Sequence, residues 1–381
     1  MKKTGSPISE STTSVSSTIS PTVYDASVKT VYIPPQRSVE ERKHLKHRLP
    51  ELLWTERLIR GFPSLLHVRT EHVFHWQGHQ LPFYCLTLGN RDPATPTVLF
   101  TGGVHGLERI GSQVLLAWLQ SFLERASWDT NTASLLQQIQ IVVIPMVNPV
   151  GIYRNTRSNG NDVDLNRNAP IEAEGRVPFI GGGHRINPRV PCYRGKPNNE
   201  MEKENRILEA VIKRQILNHP ISLTLDLHSG LGMRDHLWFP YAYRKRPIGS
   251  IANFLALKFL WERTYPRQPY IYEPQSIHYL AHGDIWDYFY KLAKTSSDCV
   301  FMPLTLEMGS WNWVRKNPLQ LKTLSGIFNP QIAHRHSRVL RRHLILLDFM
   351  LSAAINHQHW MPDQAHSEVL KQAAKNIWYR E

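Results

Sequence analysis

Only three cysteines, Cys85, Cys192 and Cys299, occur in the 381 residues of this chain. An odd number cannot all pair internally, and none stand in CxxC spacing. That argues against a disulfide framework or a cysteine zinc knuckle, and a reducing compartment fits best. Long apolar runs are also missing: residues 344–355 are short and interrupted by Asp348, too little for a membrane span. The opening residues carry Lys2 and Lys3 but continue through Ser, Thr and Pro without an apolar h-region, so no secretion signal is visible. Acid is in deficit, with 31 Asp plus Glu against 45 Lys plus Arg and a net charge of +14. Such a balance invites an anionic partner. The basic clusters at 43–48, 244–246 and 334–343 are scattered, however, and no aromatic-interleaved nucleic-acid motif accompanies them. A soluble, cytoplasmic protein with neither nucleic acid nor membrane as partner is expected, its oligomeric state left open.

What is present reads as α/β. Residues 1–30 are a low-complexity polar tail, expected to be disordered. Pro50 divides 39–59 into two short helices. Alternating residues in 66–76 and 81–88 around Gln77-Gly78 predict a β-hairpin. Beyond it, apolar runs at 98–100, 139–147, 222–227 and 300–306 predict strands, and 107–125, 199–217, 248–265, 285–292 and 330–356 predict helices. The alternation predicts a single large domain with a mixed, mostly parallel central sheet flanked by helices. It should occupy 31–358, followed by a C-terminal extension at 359–381.

The chemistry gathers at strand ends. Val98, Leu99 and Phe100 lead through Gly102 and Gly103 to His105 and Glu108, spaced i and i+3. In an open α/β sheet such residues stand at the rim of the ligand crevice. A second apolar strand ends in Leu225-Asp226-Leu227-His228. His105, Glu108 and His228 would make three metal ligands and leave a fourth position for water, as in a catalytic zinc site. Another strand ends in Leu304-Thr305-Leu306-Glu307, where a carboxylate is costly unless paired or used. The long loop between these strands holds Asn148-Pro149-Val150-Gly151, then Arg157, then Asp164-Leu165-Asn166-Arg167-Asn168. Its Arg and Asn suit gripping a carboxylate and polarising a carbonyl, while turn and cap chemistry explains the asparagines equally.

In order and spacing these residues resemble the M14 zinc carboxypeptidases: HxxE at His105 and Glu108, NPxG at 148–151, Arg157, the Asn166-Arg167 pair, His228, and Glu307. Tyr279 falls where the family's mobile-loop Tyr would be. The resemblance implies a peptide hydrolase with one Zn2+ on His105, Glu108 and His228, and Asp164 orienting His105. It implies Arg157 as the oxyanion stabiliser, Asn166, Arg167 and Tyr279 as the grip on the substrate's terminal carboxylate, and Glu307 as the base acting on a zinc-bound water. Side-chain preference would be set near Ile285 or Trp286, with Asp284 and Asp287 alongside. Leu107 stands where many members have Arg, and Arg109 falls one place later. The related aspartoacylase or desuccinylase type, acting on small N-acyl amino acids, and a cell-wall peptide amidase are the competing enzymes. A non-catalytic binding protein is the third reading, disfavoured by the intact ligands and Glu307.

Overall fold

The computed structural model describes residues 34–230, 232–268 and 270–379, so the polar tail expected at 1–30 lies outside the described residues. Two helices come first, α1 (Val39–Arg48), capped by the Ser38 hydroxyl, and α2 (Pro50–Gly61), with Pro50 in its first turn. Proline is tolerated there because the missing N–H has no intrahelical partner in any case. Strands β1 (His67–Trp76) and β2 (His79–Gly89) pair antiparallel across Gln77-Gly78, both at positive φ, the two-residue turn whose twist matches that of the strands.

The remaining strands are β3 (Thr97–Gly102), β4 (Gln140–Ile144), β5 (Ile221–Gly230), β6 (His236–Phe239), β7 (Ile271–Pro274) and β8 (Val300–Gly309). The eight form one sheet in the order β1-β2-β4-β3-β5-β8-β6-β7. Four of its seven pairings are parallel, β4–β3, β3–β5, β5–β8 and β6–β7, and the others are antiparallel. This is the mixed sheet expected.

The intervening helices are α3 (Arg109–Ala126), α4 (Thr130–Leu135), α5 (Pro149–Arg154), α6 (Lys203–Gln215), α7 (Ile251–Thr264) and α8 (Ile285–Ser296). After β8 come α9 (Trp311–Lys316), α10 (Leu324–Phe328), α11 (Ala333–Arg342), α12 (Leu344–Ile355) and α13 (Gln364–Trp378). Strands β3, β4 and β5 are buried along their whole length, with α3 and α12 packed on β3 and β5, and α8 on β8. Phe100 meets Trp118 edge-to-face at 5.0 Å, an aromatic contact that ties α3 to the sheet.

Three differences from the expected elements have physical reasons. The single helix predicted over 330–356 is two, broken at His343, because α11 has a polar face whereas α12 is apolar nearly all round and buried. Strands β6 and β7, four residues each, are too short for a period to register, and β7 ends in Pro274 at the sheet edge, where a missing N–H costs nothing. The 359–381 segment supplies α13, packed against α7, with Trp378 Nε1 donating to the Tyr272 carbonyl at 3.0 Å. No helix among the described residues is long and apolar enough to cross a membrane.

Candidate metal centre and active site

Strands β3, β5 and β8 run parallel, β3 ending at Gly102 opposite Leu227 and β5 and β8 running on together to Gly230 and Gly309, so the residues at these ends share one rim of the sheet. His105 lies three residues beyond β3, and Glu108 immediately precedes α3. Their loop is held by the NPxG segment. The Asn148 Oδ1 accepts from the Gly151 N–H at 2.8 Å, and its Nδ2 donates to the Val104 carbonyl at 3.1 Å. A Cβ on Gly106 would sit 2.0 Å from the Gly151 carbonyl carbon, so the two backbones approach as only glycine allows. Asn148 is thus a cap that fastens the metal-site loop, the turn chemistry weighed for the asparagines.

The three expected donors converge. His105 Nδ1 lies 2.8 Å from Glu108 Oε1, His228 Nδ1 lies 2.9 Å from Glu108 Oε2, and the two Nδ1 atoms are 3.2 Å apart. All three residues are at most 3% exposed. Each ring's outer nitrogen meets a buried carboxylate: His105 Nε2 to Asp164 at 3.1 Å, and His228 Nε2 to Asp226 at 2.6 Å. An Nε2–H donated to each aspartate leaves both Nδ1 atoms facing inward beside an anionic Glu108. Positive charge is required among them, as a proton or as a metal ion. Burial opposes charge on His228, but Asp226 and Glu108 hold its imidazole well above the usual range, so a proton can fill that place when no metal does. Glu108 is held well below the usual carboxylate range by His105 and His228 despite its burial. One carboxylate, two imidazoles and oriented outer nitrogens suit zinc. The donor set therefore fits the metal the sequence implied.

Asp226 was missed in the sequence, although it stands two before His228 on one strand and therefore on the same face. Its Oδ1 accepts from the Thr101 hydroxyl at 2.7 Å and its Oδ2 from Trp286 Nε1 at 2.8 Å. Trp286 and Ile285 are buried, and the Trp286 indole is engaged by the aspartate that holds His228. Asp287 accepts from the backbone N–H groups of Ala242 and Tyr243, and Asp284 caps α8 while facing Arg167 at 3.8 Å. Both acids are engaged by the fold.

The other expected residues gather at the same rim. Glu307 stands opposite His228 in the β5–β8 register. Among the described residues its carboxylate makes no hydrogen bond or ion pair. Burial raises it to about 7, against the pull of His228 charge. Arg157 donates through Nε to Asp164 at 2.8 Å and through Nη1 to Glu108 at 3.2 Å. Arg167 is pinned through Nε to the Gly181 carbonyl at 2.8 Å and through Nη1 to the Asn166 carbonyl at 2.8 Å, while Nη2 meets the Tyr279 hydroxyl at 3.3 Å. Asn166 Oδ1 is buried without a partner. Arg109 pairs with Glu51 of α2 through Nε at 3.0 Å, so it braces α3 against α2. A cavity of about 1340 Å³ opens beside Tyr279, lined in part by Arg176, Lys245, Arg246 and His278.

Fold and site together define an α/β protein with three converging donors that could hold a metal ion at the carboxyl ends of parallel strands, the place where such sheets bind ligands. The zinc carboxypeptidase family model matches residues 68–313, and the chain belongs to that family. Metallocarboxypeptidase A of Trichophyton rubrum is 26% identical over 191 residues, 45% of this chain and 43% of that protein. The chain thus spans less than half the length of such curated relatives. Among solved structures, bovine thrombin-activatable fibrinolysis inhibitor in complex with tick carboxypeptidase inhibitor superposes with a TM-score of 0.59 at 18% identity, over 82% of this chain and 98% of that one. Carboxypeptidase A from Helicoverpa armigera gives 0.56 at 17%, over 84% and 74%. At these identities the structural likeness concerns the fold.

Proposed function

We propose that this protein is a zinc metallocarboxypeptidase that takes one zinc ion at His105, Glu108 and His228. It would hydrolyse the C-terminal amide bond of a peptide or peptide-like substrate. The observation that carries the reading is the convergence of those three donors beside an unpaired Glu307, with Arg167 and Tyr279 close by. When bound, the zinc supplies Lewis acidity that polarises a carbonyl and makes water nucleophilic near neutral pH.

The chain's own residues divide the remaining work. Glu307 takes the proton from the attacking water as the new C–O bond forms and returns it to the departing amine as the C–N bond breaks, leaving a carboxylate and a free amine. Arg157, held by Asp164 and Glu108, turns its guanidinium to the developing oxyanion, where a donor is worth about 3 kcal/mol. Arg167 and Asn166 take the terminal carboxylate, and Tyr279, within reach of Arg167, closes over it.

The test is a panel of peptides with varied C-terminal residues, muropeptide stems and N-acyl amino acids. Release of the last residue from peptides with a free carboxylate, and not from their C-terminal amides, is expected. Cleavage of acyl amino acids alone would transfer the site to the aspartoacylase type.

A further inference from the structure

Outside the centre just described, two histidines and a glutamate meet where β6, β7 and the turn before Tyr279 come together. Glu273 Oε1 receives both His236 Nδ1, at 3.0 Å, and His278 Nε2, at 2.6 Å. One ligand atom from each of the three lies within 4.8 Å of the others. We propose that His236, Glu273 and His278 form a second metal site, which takes a divalent transition ion of the zinc, cobalt, nickel and copper type.

The donors come from three separate stretches that the fold brings together. His236 opens β6, Glu273 lies on β7 opposite Trp238, and His278 follows the short turn of 275–277. The imidazole rings stand at 84° with centroids 5.2 Å apart, so they are not stacked on each other and their nitrogens address one carboxylate oxygen. Trp238 walls the cluster, its ring 5.7 Å from that of His236 and 5.3 Å from that of His278. Glu273 supplies a carboxylate oxygen that one ring nitrogen of each histidine faces, so the three donors converge on one point. Two imidazoles and one carboxylate suit first-row transition ions better than magnesium or calcium, which prefer all-oxygen shells. The His278 side chain is 36% exposed, so an ion can enter directly from solvent and keep water on its open side.

A metal here would cross-link β6, β7 and the residue adjoining Tyr279. Through Tyr279 the site would act on substrate closure, a consequence that rests on the role proposed above for that tyrosine. Binding itself does not depend on that role. His236 also stands opposite Glu307 in the β6–β8 register, so the two sites are joined by one strand pair.

The experiment uses the full chain without an affinity tag, stripped by chelator and equilibrated with zinc alone. Two equivalents per chain are expected. His278→Ala and Glu273→Gln should each lose one equivalent while keeping the melting profile of the stripped wild-type chain. His105→Ala combined with His228→Ala should lose the other equivalent and keep the one at Glu273. A single equivalent in the unmodified chain, or two retained in both His278→Ala and Glu273→Gln, overturns the second site. Full metal content in the His105/His228 double variant instead overturns the catalytic-site assignment, so the two failures are distinguishable. Slower amide exchange over 275–281 on filling the second equivalent is expected, and unchanged exchange there overturns the link to Tyr279.

Discussion

His228 and Glu307 are register partners on adjacent parallel strands, β5 and β8. Opposed residues in a sheet point to the same face, and neighbouring strands lie about 4.8 Å apart, so strand pairing alone sets this carboxylate beside an imidazole of the metal centre. His236 continues the row on β6. The base proposed for catalysis is therefore positioned by strand pairing in the central sheet, whereas the residues proposed to grip substrate stand outside it.

Replacing Glu307 by Gln keeps the side chain's size and removes the proton acceptor. Metal content should stay at the wild-type level while turnover falls by about 10²-fold or more. Metal analysis and single-turnover kinetics on the same preparation check both halves, and a Glu307→Gln variant with wild-type turnover would remove Glu307 as the base.

Asp226 holds the outer nitrogen of His228 and is itself held by Thr101 and Trp286. Asp226→Asn should weaken zinc affinity about 10- to 100-fold without unfolding the chain, because a neutral amide supports the ring less well than a carboxylate. Competition with a chromophoric chelator measures this. Unchanged affinity would mean that the aspartate contributes only to packing.

Gly283 sits at φ +68, and a Cβ there would lie 1.9 Å from the Arg167 carbonyl oxygen. Its own carbonyl accepts from the Ala169 N–H at 3.0 Å, clamping the Tyr279-bearing loop onto the Asn166-Arg167 segment. Gly283→Ala should cost about 3 kcal/mol of stability, since it combines an unfavourable φ with a backbone clash. It should also raise KM for substrates with a free terminal carboxylate. A variant with an unchanged melting temperature would show that the clamp yields easily.

Burial lowers the pKa of His343 from 6.5 to about 4, with Asp235 opposing and Arg342 assisting, and its Nδ1 accepts from the Tyr270 hydroxyl at 2.6 Å. Between those two pH values the unfolded chain binds a proton that the folded chain does not. Stability should therefore fall as pH drops from 6.5 towards 4, by up to about 3 kcal/mol from this one group. His343→Gln can still accept the hydroxyl but has nothing to titrate, so its stability should fall less steeply through that window. Thermal melts at a series of pH values compare the slopes, and parallel slopes would exclude His343 as the source.

Much of this was legible beforehand because the signals are local. The apolar strands ending in His228 and Glu307, the i, i+3 spacing of His105 and Glu108, and the hairpin at Gln77-Gly78 all depend on residues close together in the chain. Asp226 was overlooked although it stands two residues before His228 on one strand and so shares its face. The face of α8 that Trp286 occupies was not legible in the sequence, and in the fold its indole is committed to Asp226.

Residue types and their order along the chain determined the four central strands, the three candidate metal donors and the membership in a zinc hydrolase family, since period and spacing survive without tertiary information. The fold alone decided which side of each helix is buried, that Arg109 braces α2, that Asp284 and Asp287 serve the backbone, and that His236, Glu273 and His278 meet. Those outcomes depend on segments up to hundreds of residues apart being pressed together by burial of the sheet, and no local pattern encodes that contact.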